Sequence, residues 1–191
     1  ANSKINICLD LIRENYKSGE RWLIFLEDSS HVGELAQGLK KLRLRYMRYE
    51  GSTPIEERHL IADHLAESGG IVLSMRCLDE GVDIPSVSHA VILSSSQNPR
   101  QFVQRRGRVL RYAGEGKRRA YIWDIITMPQ IGANDQTKAL ILAEISRAIE
   151  FANYAENPSV KTRLEVMLAE YGLSVEDCVK VEAEIKESGD E

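Results

Sequence analysis

Four arginines crowd one short segment of the chain, Gln104–Arg111, which reads QRRGRVLR. The residues ahead of it, Asn98–Pro99, carry helix-start signals, an N-cap followed by proline at the first helical position. In a helix that runs on from there, Gln104, Arg108 and Arg111 are spaced i, i+4 and i+7 and share one face. Because a guanidinium donates bidentately to phosphate, this face predicts a site for a phosphate-bearing ligand.

The elements that must position this segment alternate between strands and helices. Apolar runs typical of strands lie at 22–26, 46–49, 71–74, 90–94 and 120–126, and stretches typical of helices lie at 5–16, 30–44, 53–66 and from Pro99 to about Leu110. The alternation predicts an α/β fold, a parallel β-sheet with helices on both faces. Ligands of such sheets bind at the carboxyl ends of the strands. Gly81–Pro85 and Gln104–Arg111 both follow strands, so we expect both at that edge.

The carboxyl-terminal part of the chain has a different pattern. Pro129–Asp135 is typical of a linker, and apolar residues then recur at helical spacing through 141–152 and 160–171. Ser174–Asp177 resembles a capping box that begins a last helix. We therefore predict one domain over residues 1–128, and a linker with an all-helical appendage over residues 129–191.

Charge and cysteine usage narrow the class of protein. The net charge of the 191 residues is −4, but residues 100–119 hold eight basic side chains and residues 40–48 hold five. Local basic segments on an acidic chain indicate a localised anion site. The 40–48 segment is typical either of a solvated helix end or of a nucleic-acid patch. Three separated cysteines without metal-ligand spacing predict a reducing, cytoplasmic location and no metal site.

Four segments, in order, resemble motifs of the superfamily 2 helicases. They are Leu23–Leu26 (motif IV), Gly51 with Glu57-Arg58 (the segment after it), Val72–Pro85 (motif V) and Gln104–Arg111 (motif VI, in its Q-R-x-G-R-x-x-R form). The resemblance covers about residues 20–127. The E-G-V-D-I-P sequence is most similar to the branch with excision-repair helicases and restriction-type motor subunits, and less to the DEAD-box RNA helicases.

This resemblance implies the second of two RecA-like domains, with ATP bound between them. By position in the motifs, Arg108 and Arg111 would be arginine fingers, and Gln104 would lie beside the nucleotide. Gly81 would let the backbone approach the phosphates. Asp83 would reach the ribose hydroxyls, although it is also a residue type that caps a turn.

Nucleic-acid contacts are expected at the same edge. Met75 stands where family members commonly have Thr or Ser, and a thioether cannot donate to phosphate. Its neighbours Ser74 and Arg76, and the turn with Ser94 and Ser95, are therefore the candidates. The sequences of the motifs favour DNA over RNA. No apolar run reaches the roughly eighteen residues needed to cross a membrane, so we expect no membrane partner.

Three more side chains have two interpretations each. Arg58 either serves the site or pairs with Glu56 or Glu57 on its own helix. Trp22 and Trp123 stand on predicted strands, which favours a place in the core over a role as stacking platforms.

Two nucleotide-binding motifs are absent from the sequence. It has neither a G-x-x-x-x-G-K-[ST] phosphate loop nor an acidic magnesium motif after an apolar strand. ATP and Mg²⁺ would then be shared with an N-terminal RecA-like domain of the same polypeptide, and we expect the isolated chain to hydrolyse no ATP. Two function classes remain open: half of an ATP-driven helicase or translocase, or a non-catalytic helicase-like module that only binds nucleic acid or a protein.

Overall fold

The computed structural model describes residues 2–75, 87–93, 120–128 and 135–180. These residues fall into two compact units. The first holds residues 2–75, 87–93 and 120–125, and the second holds residues 126–128 and 135–180. No helix among the described residues is both long and apolar enough to cross a membrane.

A five-stranded parallel sheet organises the first unit. Its strands are β1 (Arg21–Leu26), β2 (Tyr46–Tyr49), β3 (Gly70–Met75), β4 (His89–Ile92) and β5 (Tyr121–Asp124), in the order β2-β3-β1-β4-β5. The central strand β1 is buried along both faces because its apolar run does not alternate with polar residues. The predicted parallel sheet is therefore confirmed.

Helices cover the sheet on both faces. They are α1 (Asn2–Asn15), α2 (Ser29–Lys41) and α3 (Ile55–Ser68). Ile12 of α1 and Leu35 of α2 share one core cluster with Ile24 of β1. The buried Ile61 of α3 lies outside that cluster, and α3 contacts β2, so α3 packs on the opposite face. This arrangement confirms the predicted layers.

The end of α2 differs from the predicted helix over 30–44. The helix ends at Lys41, and Arg43 takes the left-handed conformation with φ of 57°. The amide of Arg43 then donates to the carbonyl of Lys40, and the amide of Leu44 donates to the carbonyl of Leu39, both at 3.0 Å. This pair of hydrogen bonds is a Schellman motif, which satisfies the last carbonyls and turns the chain away.

The start of α3 also differs from prediction. Thr53 is not a capping residue, because its Oγ1 accepts from the amide of Glu50 at 2.9 Å, and α3 begins after Pro54 with no side-chain cap. The hydroxyl that the sequence assigned to the helix is used instead to close the turn between β2 and α3.

The described part of the second unit is mostly helical. It contains α4 (Asp135–Tyr154), α5 (Ser159–Glu170) and a last helix, α6, over residues 175–180. Its core cluster includes Ile145, Leu164, Leu168 and Cys178. The predicted capping box at the start of α6 is confirmed: the Asp177 carboxylate accepts from the Ser174 amide at 2.9 Å, and the Ser174 hydroxyl accepts from the Asp177 amide at 3.4 Å. The Ser174 hydroxyl also donates to the Asp177 carboxylate at 2.8 Å, and this bond, followed by the one from the Ser174 amide, lowers the pKa of Asp177.

Candidate functional site

The carboxyl edge of the sheet is the place where the sequence predicts a ligand. β3 ends directly before residues 76–86, and β4 ends shortly before residues 94–119. Both strands pair with β1, in a register that places Ser74 and Ile92 opposite Phe25. Since neighbouring strands lie about 4.8 Å apart, the ends of β3 and β4 are separated by about 10 Å.

The order of the strands also indicates a ligand site at the carboxyl edge of the sheet. From β1 the chain first builds β2 and β3 on one side, and it then crosses β1 to build β4 and β5 on the other. Open parallel sheets bind ligands outside the carboxyl ends of their strands, where the strand order changes direction. The candidate site is therefore the edge around β1, between the ends of β3 and β4.

Most of the predicted site residues lie outside the described part of the chain. These are Arg76, Gly81, Asp83, Ser94, Ser95, Gln104, Arg108 and Arg111. Their roles stay predictions, and the structure contributes the strand ends from which their segments depart.

Ser74 is a predicted site residue that the structure does describe. It lies on β3 between Phe25 of β1 and Tyr49 of β2, and only 1% of its surface is exposed. Its Oγ has no hydrogen-bond partner among the residues that the structure describes. A buried hydroxyl without a partner costs about 1–3 kcal/mol. The hydroxyl is thus packed inside the sheet beside the candidate site, and its contact with nucleic acid stays a prediction.

A buried arginine organises the loop at the carboxyl end of β2. Arg58 donates through Nε to the carbonyl of Thr53 and through Nη2 to the carbonyl of Gly51, both at 2.8 Å. Its guanidinium lies 5.4 Å from the ring centroid of Tyr49, within range of a cation–π interaction. Arg58 therefore fixes the course of residues 50–53 at the edge of the site.

This arrangement does not support the interpretation of Arg58 as an ion-pair partner on its own helix, and a role of Arg58 in the site stays a prediction. Glu56 and Glu57 are exposed, and within the described part of the chain neither forms an ion pair with Arg58. Arg58 donates to backbone carbonyls, which leave no pattern in the sequence. The spacing of residues alone therefore could not distinguish its two interpretations.

The N-terminus of α2, which follows β1, is capped by the carboxylate of Asp28. One oxygen of Asp28 accepts from the amide of His31 at 2.8 Å, and the other lies 3.1 Å from His31 Nδ1. A free helix N-terminus attracts phosphate through its amides and its dipole. Because Asp28 occupies that position with negative charge, this helix end offers no phosphate site.

An aromatic stack lies at the opposite, amino-terminal edge. The ring of His89 stacks on Trp22, with centroids 4.6 Å apart, and on Trp123, with centroids 5.3 Å apart. Trp22 Nε1 donates to the Glu20 carboxylate at 2.9 Å. Burial lowers the pKa of His89, and the charge of Glu20 opposes this shift. As expected, both tryptophans pack in the fold, whereas the role of His89 had no signal in the sequence.

No metal site is found in the part of the chain that the structure describes. Within residues 2–75, 87–93, 120–128 and 135–180, no three His, Cys, Asp or Glu side chains form a group that could hold an ion.

Comparison with known proteins matches this chain to helicases. The family model described as "helicase conserved C-terminal domain" matches residues 3–113, more than half of the 191 residues. DEAD-box ATP-dependent RNA helicase 22 of Arabidopsis thaliana is 26% identical over 111 residues, which cover 58% of this chain and 19% of that protein. Chromatin structure-remodeling complex subunit snf21 of Schizosaccharomyces pombe is 25% identical over 171 residues, which cover 87% of this chain and 14% of that protein.

Solved structures show the same fold at low sequence identity. The C-terminal domain of the DEAD-box protein Dbp5 matches with a TM-score of 0.58 at 18% identity, over 82% of both chains. The C-terminal part of the Fun30 ATPase domain matches with a TM-score of 0.57 at 20% identity, over 78% of this chain and 54% of that chain. The chain spans only 6% to 19% of the length of the curated relatives it matches.

Proposed function

Because the chain belongs to the helicase conserved C-terminal domain family, we propose that it is the second RecA-like domain of an ATP-dependent nucleic-acid helicase or translocase. The observation that carries the proposal is the topology of the sheet. The strands that precede the two motif segments end on either side of β1, about 10 Å apart by strand spacing. Residues from both segments are then within reach of one nucleotide.

ATP supplies the phosphoryl group for transfer when it is bound. Arg108 and Arg111 would neutralise the charge that develops on that group, and Gln104 would lie beside the nucleotide. Gly81 would admit the backbone to the phosphates, and Asp83 would accept from the ribose hydroxyls. The preceding RecA-like domain of the same polypeptide holds the triphosphate and Mg²⁺ through its phosphate loop and acidic motif.

The capped N-terminus of α2 supports the proposal that the other domain holds the triphosphate and this one supplies the arginines. In many nucleotide-binding sheets the helix after a strand receives phosphate at its N-terminus. Here Asp28 fills that position, so the triphosphate is held by another domain and this one brings the arginines to it. Hydrolysis then depends on closure of the two domains, which couples it to movement along nucleic acid.

Ser74, Arg76, Ser94 and Ser95 contact the nucleic-acid backbone in this proposal. We propose DNA as the substrate from the style of motif V, although the relatives include an RNA helicase as well as a chromatin-remodelling subunit. Stimulation of the ATPase of the full-length protein by DNA but not by RNA of the same sequence is the expected result. Stronger stimulation by RNA would reverse the assignment. A cytoplasmic location stays part of the proposal, drawn from the three separated cysteines of the sequence.

The arginine fingers are tested in the full-length protein. Arg108→Ala and Arg111→Ala should each lower the rate of ATP hydrolysis by about 10³-fold or more, the contribution typical of arginine fingers. Binding of a fluorescent ATP analogue should change little, because the triphosphate is held by the other domain. Arg106→Ala is the matched control: it removes the same charge from the opposite face of the expected helix.

Two results would contradict the proposal. If both variants kept normal turnover, or if Arg106→Ala were equally impaired, the two arginines would not be fingers and the non-catalytic docking module would be favoured. ATP turnover by the isolated chain would contradict the shared site. The sequence that precedes Ala1 in the full-length protein provides a further check, since the motor requires a phosphate loop and an acidic motif there.

A further inference from the structure

One strongly basic surface has no role in the proposed ATP site. It consists of five exposed cations from the last turn of α2 to the middle of β2, which we call the basic edge: Lys40, Lys41, Arg43, Arg45 and Arg48. No acidic residue interrupts it. Among the residues that the structure describes, none of these five side chains forms an ion pair or a hydrogen bond. The positive charge is therefore not neutralised within the described fold.

The basic edge follows the outer strand of the described sheet. Among the described residues, β2 pairs only with β3. Arg45 directly precedes β2, and Arg48 lies on the same face as Tyr46, the face that packs on the core with α2. From Arg45 to Arg48 the backbone rises about 10 Å. The cations thus form an extended row and not a single pocket.

Arg43 stands in a conformation that glycine would adopt without strain. It is the residue after the C-cap of α2, with φ of 57°, where left-handed backbone favours glycine. Its side chain is exposed and forms no hydrogen bond or ion pair with the other described residues. Strained residues that stability does not explain point to a function.

Two structural explanations cover part of the basic edge. Lys40 and Lys41 lie in the last turn of α2, where cations favour the helix dipole. Charged residues on an outer strand, such as Arg48, also discourage pairing with another sheet. Neither explanation requires an arginine at position 43 in place of glycine.

The surroundings favour nucleic acid over a protein partner. Protein interfaces have an apolar centre, whereas the exposed large hydrophobic residues of the described chain include none between positions 40 and 48. Interfaces with nucleic acid are polar and strongly positive. A row of unpaired cations, three of them arginines, suits the repeated phosphates of a nucleic-acid backbone.

We propose that the basic edge binds the phosphodiester backbone of nucleic acid, as a second contact surface separate from the predicted contacts of Ser74, Arg76, Ser94 and Ser95. The inference rests on the proposed nucleic-acid function. It assigns Arg43, Arg45 and Arg48 to a binding step that requires no ATP. The ATPase test of Arg108 and Arg111 is independent of it, so the two proposals fail separately.

Salt-dependent binding of the isolated chain tests the basic edge. Fluorescence anisotropy is measured with labelled duplex DNA, single-stranded DNA and single-stranded RNA between about 50 and 200 mM salt. The triple variant Arg43→Gly, Arg45→Gln and Arg48→Gln should bind at least about 10-fold more weakly, with the slope of log K against log salt reduced by about 2 to 3. The three probes show which form of backbone is preferred.

A matched control separates the surface from net charge. The variant Lys17→Gln, Lys161→Gln and Arg163→Gln also removes three exposed cations, and its binding should change less than about 2-fold. An equal loss in the control, or no salt-dependent binding of the wild-type chain to any probe, would overturn the proposal. Binding of poly-aspartate that depends on the basic edge, with nucleic-acid binding unchanged, would also overturn it.

Arg43→Gly alone gives the sharpest comparison. Relief of the left-handed strain should raise the midpoint of thermal unfolding by a few degrees, roughly 2–6 °C, while nucleic-acid binding weakens. If Arg43 had only a structural role, the midpoint of thermal unfolding would rise in the same way while nucleic-acid binding stayed unchanged. That result would contradict the inference.

Discussion

Gly69 shows how a single residue sets the entry into the sheet. Its φ of 70° is a conformation that other residues rarely adopt, and a Cβ there would lie 2.5 Å from the backbone of Gly19. The next amide, that of Gly70, donates to the carbonyl of Glu20 at 2.8 Å, so the two segments cannot separate freely. The close approach between these backbones at the start of β1 and β3 thus requires glycine.

Gly69→Ala should therefore lower the free energy of unfolding by about 2–4 kcal/mol, from strained backbone and overpacking together. Urea denaturation measures the loss. Gly33→Ala is the control, because Gly33 lies within α2 with open space around its Cα and alanine should stabilise the helix by about 0.5–1 kcal/mol. If Gly69→Ala were as stable as wild type, the contact with Gly19 would not exist in solution.

His89 makes stability depend on pH. Burial lowers its pKa in the folded state, so the unfolded chain binds a proton more readily and stability falls as pH drops through about 6.5, the ordinary pKa of histidine. Glu20, whose carboxylate is also favoured in the fold, contributes only at lower pH: burial raises its pKa, and the hydrogen bond from Trp22 with other contacts lowers it overall.

Replacement of the imidazole by an apolar ring should remove this dependence. In His89→Phe the midpoint of thermal unfolding should vary less between pH 7 and pH 5.5 than in wild type, because no proton is taken up there on unfolding at this position. His64→Gln, which changes an exposed histidine, should keep the wild-type dependence. An unchanged slope in His89→Phe would assign the effect to another group.

At the scale of elements, Arg58 connects α3 to the loop after β2. Arg58→Ala leaves the carbonyls of Gly51 and Thr53 without their charged donor, and should cost about 2–3 kcal/mol. Arg58→Lys should restore only part of this, since an ammonium lacks the planar fork. Hydrogen exchange at the amides of Glu50 and Thr53 should accelerate in both variants.

A surface pair provides the comparison for Arg58. Arg13 lies 2.9 Å from Asp10 in α1, but both side chains are more than half exposed. Arg13→Ala should therefore change stability by less than about 1 kcal/mol. A similarly small effect of Arg58→Ala would show that the loop does not depend on it.

Some of the strands could be predicted from the sequence more closely than the helix ends. β1 and β2 were predicted to within one residue. For β1 the reason is an apolar run buried on both faces, which has few other interpretations, whereas only Tyr49 of β2 is buried. Helix ends depend on single hydrogen bonds. Ser174 caps its helix as predicted, whereas Oγ1 of the equally suitable Thr53 accepts from the amide of Glu50 in the turn before α3.

The candidate site, too, could be predicted only in part from the sequence. The edge of the sheet follows from the order of strands and helices, and the sequence predicted it. Arg58 and His89 depend on backbone carbonyls and on rings brought together from three strands. Neither relation has a fixed spacing along the chain, so no sequence pattern distinguishes them from ordinary surface or core residues.

At the scale of the whole molecule, each of the two units has a core cluster of its own among the described residues. The cluster around Trp22, Ile24 and Leu35 contains no residue beyond Ile125, and the cluster around Ile145 and Leu168 contains none before Ile126. We expect a chain that ends after Ile125 to keep its sheet. Hydrogen exchange of the amides in β1 and β3 should remain slow, and exchange at the unfolded rate would show that the sheet requires the second unit.

The stacked rings at the amino-terminal edge give the protein a built-in optical reporter. The chain has only two tryptophans, and their rings lie 5.2 Å apart, nearly parallel, with His89 against both. All intrinsic indole emission therefore originates from one place where β1, β4 and β5 meet. A protonated imidazole quenches such emission, so the fluorescence of the unmodified protein should report both the assembly of these strands and the charge on His89.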